Sequence, residues 1–417
     1  VSRIPGNRFL HSPGPTHLPD EVLDAMHRQP MDLGDPRVDE LVAACELGLR
    51  SLVGIPKGDI FLFASNGHGA WEAAIANLIA PGRAALVPGV GHFSESWAVQ
   101  TEGYGCKVVA TPAREGYPVD PAAVEAALRA DAGHEIAAVF LVHTDTAAGV
   151  TSDLRAVRAA IDAARHPALL VVDVVASLGA APFDMDALGI DVAIGASQKG
   201  LMVPPGLGFV AVGPRGDALA RANPAPRFYW DWARRRSEHG YRKFCGTAPL
   251  HLLMGLRAAL GLLADEGHDA VFARHRRLAD AVHAAVAAWS AGGAVDFFCK
   301  VPAARSVAVT TIATASGFDP DAIRRTARER FQVAIAGGLG PLAGRVFRIG
   351  HLGDLNEAMI LGALAGVEAA LLAEGVPIGR DALPRAIDRL AITGSGSRPG
   401  PPARSASSAP APLPSAG

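Results

Sequence analysis

The sequence lacks a charge bias. Its 39 basic and 41 acidic residues leave a formal net charge of −2. No basic field is available to gather nucleic acid or anionic lipid, so neither nucleic acid nor membrane is expected as a partner, and small molecules are. Cysteine is scarce. Cys45, Cys106, Cys245 and Cys299 lie far apart with no CxxC pair, a pattern that argues against a disulfide framework and a zinc site and for a reducing cytoplasm. Long apolar runs are missing as well. The longest, such as 136–142, fall far short of a bilayer span, and 1–16 scatters Arg, Pro and His where a signal sequence needs an apolar stretch. No repeat of solenoid or propeller period is present. What the chain does have is length and apolar content. Its 417 residues, 49% hydrophobic and 19% charged, suffice for two domains with large cores and for a soluble metabolic enzyme.

From about Gly69 to Gly208, short β-rich runs alternate with helix-period segments, the pattern of an α/β domain on a mainly parallel sheet. Ile136 to Val142 reads as a buried strand. In 152–165, Leu154, Val157, Ile161 and Ala164 fall on one helical face behind Ser152 or Asp153 as cap, and Leu169 to Asp173 is the next strand. The stretch from Leu252 to Trp289 reads as helix broken near Gly267, with Leu278, Val282, Val286 and Trp289 in one stripe. Beyond this hinge come a strand at 307–312, a helix capped by Asp319 with Pro320 in its first turn, strands near Val333 and at 345–349, and a final helix from Leu355 with Asp354 and Glu357 as a capping box. These make a small α+β domain. The stretch 394–417 is nearly all Gly, Ser, Pro, Ala and Arg, a composition expected to be disordered.

Four places carry chemistry. In Ala193-Ile194-Gly195-Ala196-Ser197-Gln198-Lys199-Gly200, an apolar strand ends in a lysine, where open α/β sheets bind ligands. Alone, Lys199 reads equally as a solvated loop lysine. In Leu169-Leu170-Val171-Val172-Asp173 a carboxylate interrupts a run that should be buried. It needs a cationic or metal partner, or a proton, unless it merely caps a loop. In Ser65-Asn66-Gly67-His68-Gly69-Ala70-Trp71-Glu72, small polar residues open a helix with Trp71, Ile75 and Leu78 on one face, and its N-terminus suits an anion such as a phosphate. Glu72 occupies the third glycine position of a nicotinamide fingerprint, which excludes that reading. In Arg345-Val346-Phe347-Arg348-Ile349, a guanidinium stands inside an apolar strand, placed either to grip a carboxylate bidentately or to pair with a core-edge acid. Gly338 to Ala343 matches GxGxxA, but strand character resumes at once where a dinucleotide site needs a helix. Pyridoxal phosphate (PLP) meets the first three needs together: an aldehyde for Lys199, a ring nitrogen for Asp173, a phosphate for the helix start.

Taken in order, Ser12-Pro13-Gly14-Pro15-Thr16, Ser65 to Glu72, His143 to Val150, Ser197 to Leu201 and Phe347 to Gly350 resemble the class V aminotransferases of PLP fold type I, in the branch that uses glyoxylate with alanine, serine or aspartate. The resemblance covers about residues 10 to 390. It implies a large PLP-binding domain over 17–266, its mainly parallel sheet sandwiched by helices, a smaller C-terminal α+β domain over 267–393, and an N-terminal arm over 1–16 lying on a partner subunit. It implies Lys199 as the Schiff-base lysine and proton carrier, and Asp173 at the pyridine nitrogen. Phe93 stacks on the ring, Asn66, Gly67, His68 and Gln198 bind phosphate, and Thr146 lies near the ring hydroxyl. Arg348, with Gly14 beside it, holds the substrate carboxylate. A homodimer with shared sites would place Thr247 in the partner's site. The implied reaction is a ping-pong transamination through pyridoxamine phosphate, between a small L-amino acid and glyoxylate or pyruvate.

The family commonly has Glu at Asp145, a hydroxyl residue at Ala148, arginine at Ser96 and tyrosine at Phe244, so cofactor contacts are expected to rearrange, with Tyr241 or Arg242 compensating. Two other readings remain. One is a PLP-dependent lyase, aldolase or desulfurase, for which Cys245 is the sole nucleophile near a motif. The other is a retired fold acting as a binding partner. The stretch 228–236, rich in aromatics and arginine, either shapes the substrate entrance or is a solvated loop.

Overall fold

Buried, β-branched runs build the centre of the molecule, whose computed structural model describes residues 6–392. The expected disordered tail at 394–417 lies outside the described residues. Seven strands stand in the order Asp59–Phe63, Gly208–Val212, Val192–Ala196, Leu169–Asp173, Ile136–Val142, Ala84–Pro88 and Lys107–Thr111. Gly208–Val212 runs antiparallel to both neighbours, and every other pairing is parallel. Ile136–Val142, Leu169–Asp173 and Val192–Ala196 are buried along their whole length, as central strands covered by helices on both faces must be. Asp59–Phe63 therefore points the same way as the five other parallel strands. Their carboxyl ends share one edge of the sheet, and the crevice outside that edge is where such folds bind ligands.

A second sheet takes the strands Phe9–His11, Val333–Gly337, Val346–Gly350, Val309–Thr314 and Val295–Phe297 in that order. The first of these comes from the start of the chain. Phe9 pairs with Val333 and His11 with Ile335 in parallel register; Phe9 packs against the core behind this sheet, and His11 is buried. Within the expected arm, these residues form an edge strand of their own chain's second sheet, where they bury an aromatic ring and complete a ladder.

The helix break near Gly267 is present. Helices Leu250–Glu266 and His268–Ser290 flank Gly267, whose φ of 85° a residue with a β-carbon rarely adopts. The stripe of Leu278, Val282, Val286 and Trp289 is fully buried against Ile312, Phe347 and Ile349 in a second core. Asp153 is the cap of helix Leu154–Ala163, while Ser152 accepts the Val119 N–H instead. Asp319 caps Pro320–Arg330.

Two C-terminal details differ from expectation. The cap of helix Glu357–Ala373 is Asn356, which accepts the Met359 N–H at 3.0 Å, and Glu357 binds Arg277 instead of closing a capping box. Asp354 is unsuited because its neighbours are already tied: the Gly353 N–H donates to His275, and Arg274 donates to the Gly353 and Leu355 carbonyls. That helix is also not the last. Ala382–Ile392 follows and packs along His268–Ser290 through Ala382 and Ala386. Among the described residues no helix is long and apolar enough to cross a membrane.

Candidate active site

Strand Val192–Ala196 delivers Lys199 to the crevice. Ser197 Oγ donates to the Pro204 carbonyl at 2.7 Å and accepts the Leu207 N–H at 3.3 Å, which turns the chain back on itself. The N-terminal segment then closes over the lysine: Thr16 Oγ1 donates to the Lys199 carbonyl at 3.0 Å, and Lys199 Nζ donates to the Pro13 carbonyl at 2.5 Å. Gly14 has to be glycine here. Its φ is 134°, and a β-carbon would lie 2.5 Å from Lys199 Cδ. Burial pushes the ammonium down to about 8, as does the nearby Arg348, while Asp173 and Asp145 pull it back up.

Asp173 ends the neighbouring strand and is 6% exposed. Its Oδ1 accepts the Val175 N–H at 2.7 Å and its Oδ2 accepts the Trp71 indole N–H at 3.1 Å. Burial raises the carboxyl to about 7 against the pull of those donors and of Lys199. Next to it begins helix Gly67–Leu78. Asn66 caps it by accepting the Gly69 N–H at 3.2 Å, which leaves the Gly67 and His68 N–H groups without an acceptor among the described residues. Gln198 Oε1 is buried and equally unpartnered.

Phe93 opens helix His92–Gly103, its N–H held by Asp145 Oδ2 at 2.8 Å. The other oxygen of Asp145 accepts the N–H groups of Ala147 and Ala148. Across the crevice, Arg348 lies in strand Val346–Gly350 of the second sheet, 5% exposed. Its Nε donates to the Gly337 carbonyl at 2.6 Å and one Nη to the Thr146 carbonyl at 2.8 Å. No carboxylate pairs with it among the described residues, so the alternative of a structural ion pair does not hold. Burial lowers it to about 10, opposed by the more distant Asp145.

Gly14, Asn66, Gly67, His68, Phe93, Thr146, Asp173, Gln198, Lys199 and Arg348 line one cleft of about 310 Å³. Residues 8–342 match the aminotransferase class-V family. The chain belongs to that family. It is 42% identical to the serine–glyoxylate aminotransferase of Methylorubrum extorquens, over 91% of this chain and 94% of that one. It is 40% identical to the L-aspartate–glyoxylate aminotransferase of Paracoccus denitrificans, over 88% and 91% respectively. The structure of ureidoglycine–glyoxylate aminotransferase from Bacillus subtilis superposes with a TM-score of 0.84 at 27% identity, covering 94% of this chain and all of the other. The protein is thus a PLP-dependent aminotransferase of fold type I.

The cleft of this aminotransferase fits that cofactor. It offers an amine on Lys199, a buried carboxylate with a lone pair left on each oxygen and two free N–H groups at a helix start, with the Gln198 side chain beside them in the lining. Other expected residues lie elsewhere. Thr247 sits at the surface near Met31, Leu33 and His251, outside the cleft. Cys245 is also outside it and half-buried, and so is Ser96. Phe244 is buried in the main core. Tyr241 and Arg242 hydrogen-bond each other instead of entering the site.

The stretch 228–236 does not line the cleft, and it is a solvated loop only in part: Phe228, Arg234 and Arg236 are exposed, whereas its centre is packed inside. Arg235 is 2% exposed and donates to the carbonyls of Leu62, Tyr229 and Lys243, while Trp232 stacks on Phe61. It buttresses the edge strand Asp59–Phe63. The sequence reading missed Trp71 as a site residue. Its helical spacing marks it as a core residue, which it is, and only its contact with Asp173 shows the second role.

Proposed function

We propose that this aminotransferase moves an amino group between a small L-amino acid, alanine, serine or aspartate, and the 2-oxo acid glyoxylate or pyruvate, in a ping-pong cycle. The observation that carries this reading is Arg348, a buried guanidinium bound only to carbonyls, lining the same cleft as Lys199 and Asp173. A buried cation without an anion is costly, and the α-carboxylate common to amino and 2-oxo acids supplies one in both half-reactions. The relatives named for serine–glyoxylate and L-aspartate–glyoxylate transfer support the donor and acceptor classes.

PLP, when bound, supplies an electron sink for the bonds at the substrate α-carbon. Lys199 would hold it covalently and, once displaced, hold and move the proton at that carbon; burial lowers the lysine toward the range where it exchanges protons near neutrality. Asp173 would hold the ring nitrogen, Thr146 the ring hydroxyl, and Asn66, Gly67, His68 and Gln198 the phosphate, with Phe93 against the ring face. Thr247, outside its own chain's cleft, fits a homodimer in which it reaches the neighbouring site. The Gly267 break supports division into units at 17–266 and 267–393, and four free cysteines suit a reducing cytoplasm. The test is a spectral screen of the holoenzyme: at least one candidate amino acid should change the cofactor absorbance, and glyoxylate or pyruvate should reverse it. No change with any donor refutes the proposal.

A further inference from the structure

The carboxylate of Asp173 is held from one side by backbone and from the other by an aromatic column. Trp71 stacks on Trp97 with ring centres 5.2 Å apart and planes 10° apart, and Trp97 stacks on Phe140 at 4.6 Å and 5°. The three rings are at most 2% exposed. They run from helix Gly67–Leu78 through His92–Gly103 to strand Ile136–Val142, whose Val142 pairs directly with Asp173. Stacking fixes the plane of the Trp71 indole, and a fixed plane fixes the direction of its N–H. That N–H meets Asp173 Oδ2 at 3.1 Å, and Trp71 is the one side-chain hydrogen-bond donor to this carboxylate among the described residues.

We infer that Trp71 is a positioning residue for the reaction: its indole N–H holds Asp173 as an oriented carboxylate and so keeps a proton on the ring nitrogen of bound PLP. This rests on the role proposed above for Asp173. Indole is a donor only, and an N–H bond to an ionised oxygen is about twice as strong as one to a neutral oxygen. The contact therefore favours the charged acid over the protonated one, in a site where burial works in the opposite direction. With Val175 on Oδ1 and Trp71 on Oδ2, one lone pair per oxygen is left for the cleft.

Trp97 provides the control. It occupies the next place in the same column, yet its Nε1 is buried with no partner. Trp97→Phe trims the column by a comparable amount, keeps an aromatic ring stacked against Trp71 so that its plane is held, and does not touch Asp173. The experiment compares holoenzymes carrying Trp71→Phe, Trp97→Phe and Asp173→Asn by the pH dependence of cofactor absorbance and by kcat and KM. Trp71→Phe should lower kcat roughly 10- to 100-fold, with KM for the amino acid within about twofold because Arg348 shares no bond with Trp71. The pH at which the ring nitrogen loses its proton, followed by absorbance, should move down by roughly one unit. Trp97→Phe should leave both readouts near wild type. Coinciding curves for the two tryptophan variants would reduce Trp71 to packing and overturn the inference. If Asp173→Asn moves the absorbance transition and Trp71→Phe does not, the Trp71 inference alone falls; a wild-type curve for Asp173→Asn removes the underlying assignment as well. Should Trp71→Phe fail to fold, Trp71→Met fills the site with a more adaptable side chain and gives the same comparison.

Discussion

Lowering the pH from 7 to 5 is expected to cost the fold about 6 kcal/mol through His11, His275 and His351. All are at most 1% exposed. The hydrogen bonds of His275 show why it must be neutral: its Nε2 accepts the Gly353 N–H at 3.0 Å, so its Nδ1 carries the proton that goes to the Val271 carbonyl. A second proton would turn Nε2 into a donor facing a donor. His351 gives its Nδ1 proton to the Val307 carbonyl and receives the Thr310 hydroxyl at Nε2, and His11 gives its proton to Gly350. Burial presses His11 from 6.5 to about 4 and the other two to about 3, with Arg274 adding to the effect at His275. The folded values lie below the unfolded one. As the pH falls through 6.5 the unfolded chain therefore gains protons that the folded chain refuses, and stability is lost from there down toward 4 for His11 and toward 3 for the other two. Between pH 7 and 5 each ring contributes about 2 kcal/mol, and the sum rivals the whole stability of many domains, about 5 to 15 kcal/mol. Urea unfolding followed by tryptophan fluorescence at the two pH values measures the loss. His275→Gln cannot titrate, so its loss should be smaller by about 2 kcal/mol whatever its stability at pH 7. An equal loss in variant and wild type would refute the reasoning.

Lys199→Ala should fold and still take up PLP, since the other cleft residues are untouched, but lose the covalent attachment and turnover; circular dichroism and cofactor absorbance read both. Gly14→Ala places a methyl within 2.8 Å of the Lys199 side chain at a φ of 134°. It should cut kcat roughly 100-fold by displacing the amine, and an unchanged kcat would show that the arm does not hold the lysine. Arg348→Lys gives up the forked geometry and should lower kcat/KM roughly 10- to 100-fold for α-amino acids, while an amine lacking the α-carboxylate should react at an unaltered rate.

Much of the fold was legible because its signals are local. A buried run such as Leu169–Asp173 has no other stable place than a covered strand, and Gly267 ends a helix by its own conformation. What escaped is what depends on distant partners. Phe9–His11 is too short to announce itself and becomes a strand only because Val333–Ile335 stands beside it. Asp354 and Asn356 are both good caps by type, and the choice falls to Asn356 because His275 and Arg274 hold the segment before it. Helix Ala382–Ile392 places its small residues on a long helix a hundred residues earlier in the chain, a match that no window of sequence contains.

The candidate site divides in the same way. Residues whose chemistry is out of keeping with their surroundings, a lysine, an acid and an arginine at the ends or centres of apolar strands, stood out; residues that orient them did not. Asp145 shows the difference. In the sequence it is a departure that casts doubt on the cofactor contacts, together with Ala148. In the structure it receives the N–H groups of Phe93, Ala147 and Ala148, and Thr146, between them, accepts from Arg348. Gly91 permits this, since a β-carbon there would lie 2.9 Å from the carboxylate. One short acid thus links the start of the Phe93 helix, the Thr146 turn and the second-sheet arginine. Ala148 contributes its backbone N–H to that link, for which no hydroxyl is needed. The two departures belong to one local solution, which braces the cleft with Lys199, Asp173 and Arg348 facing the same space.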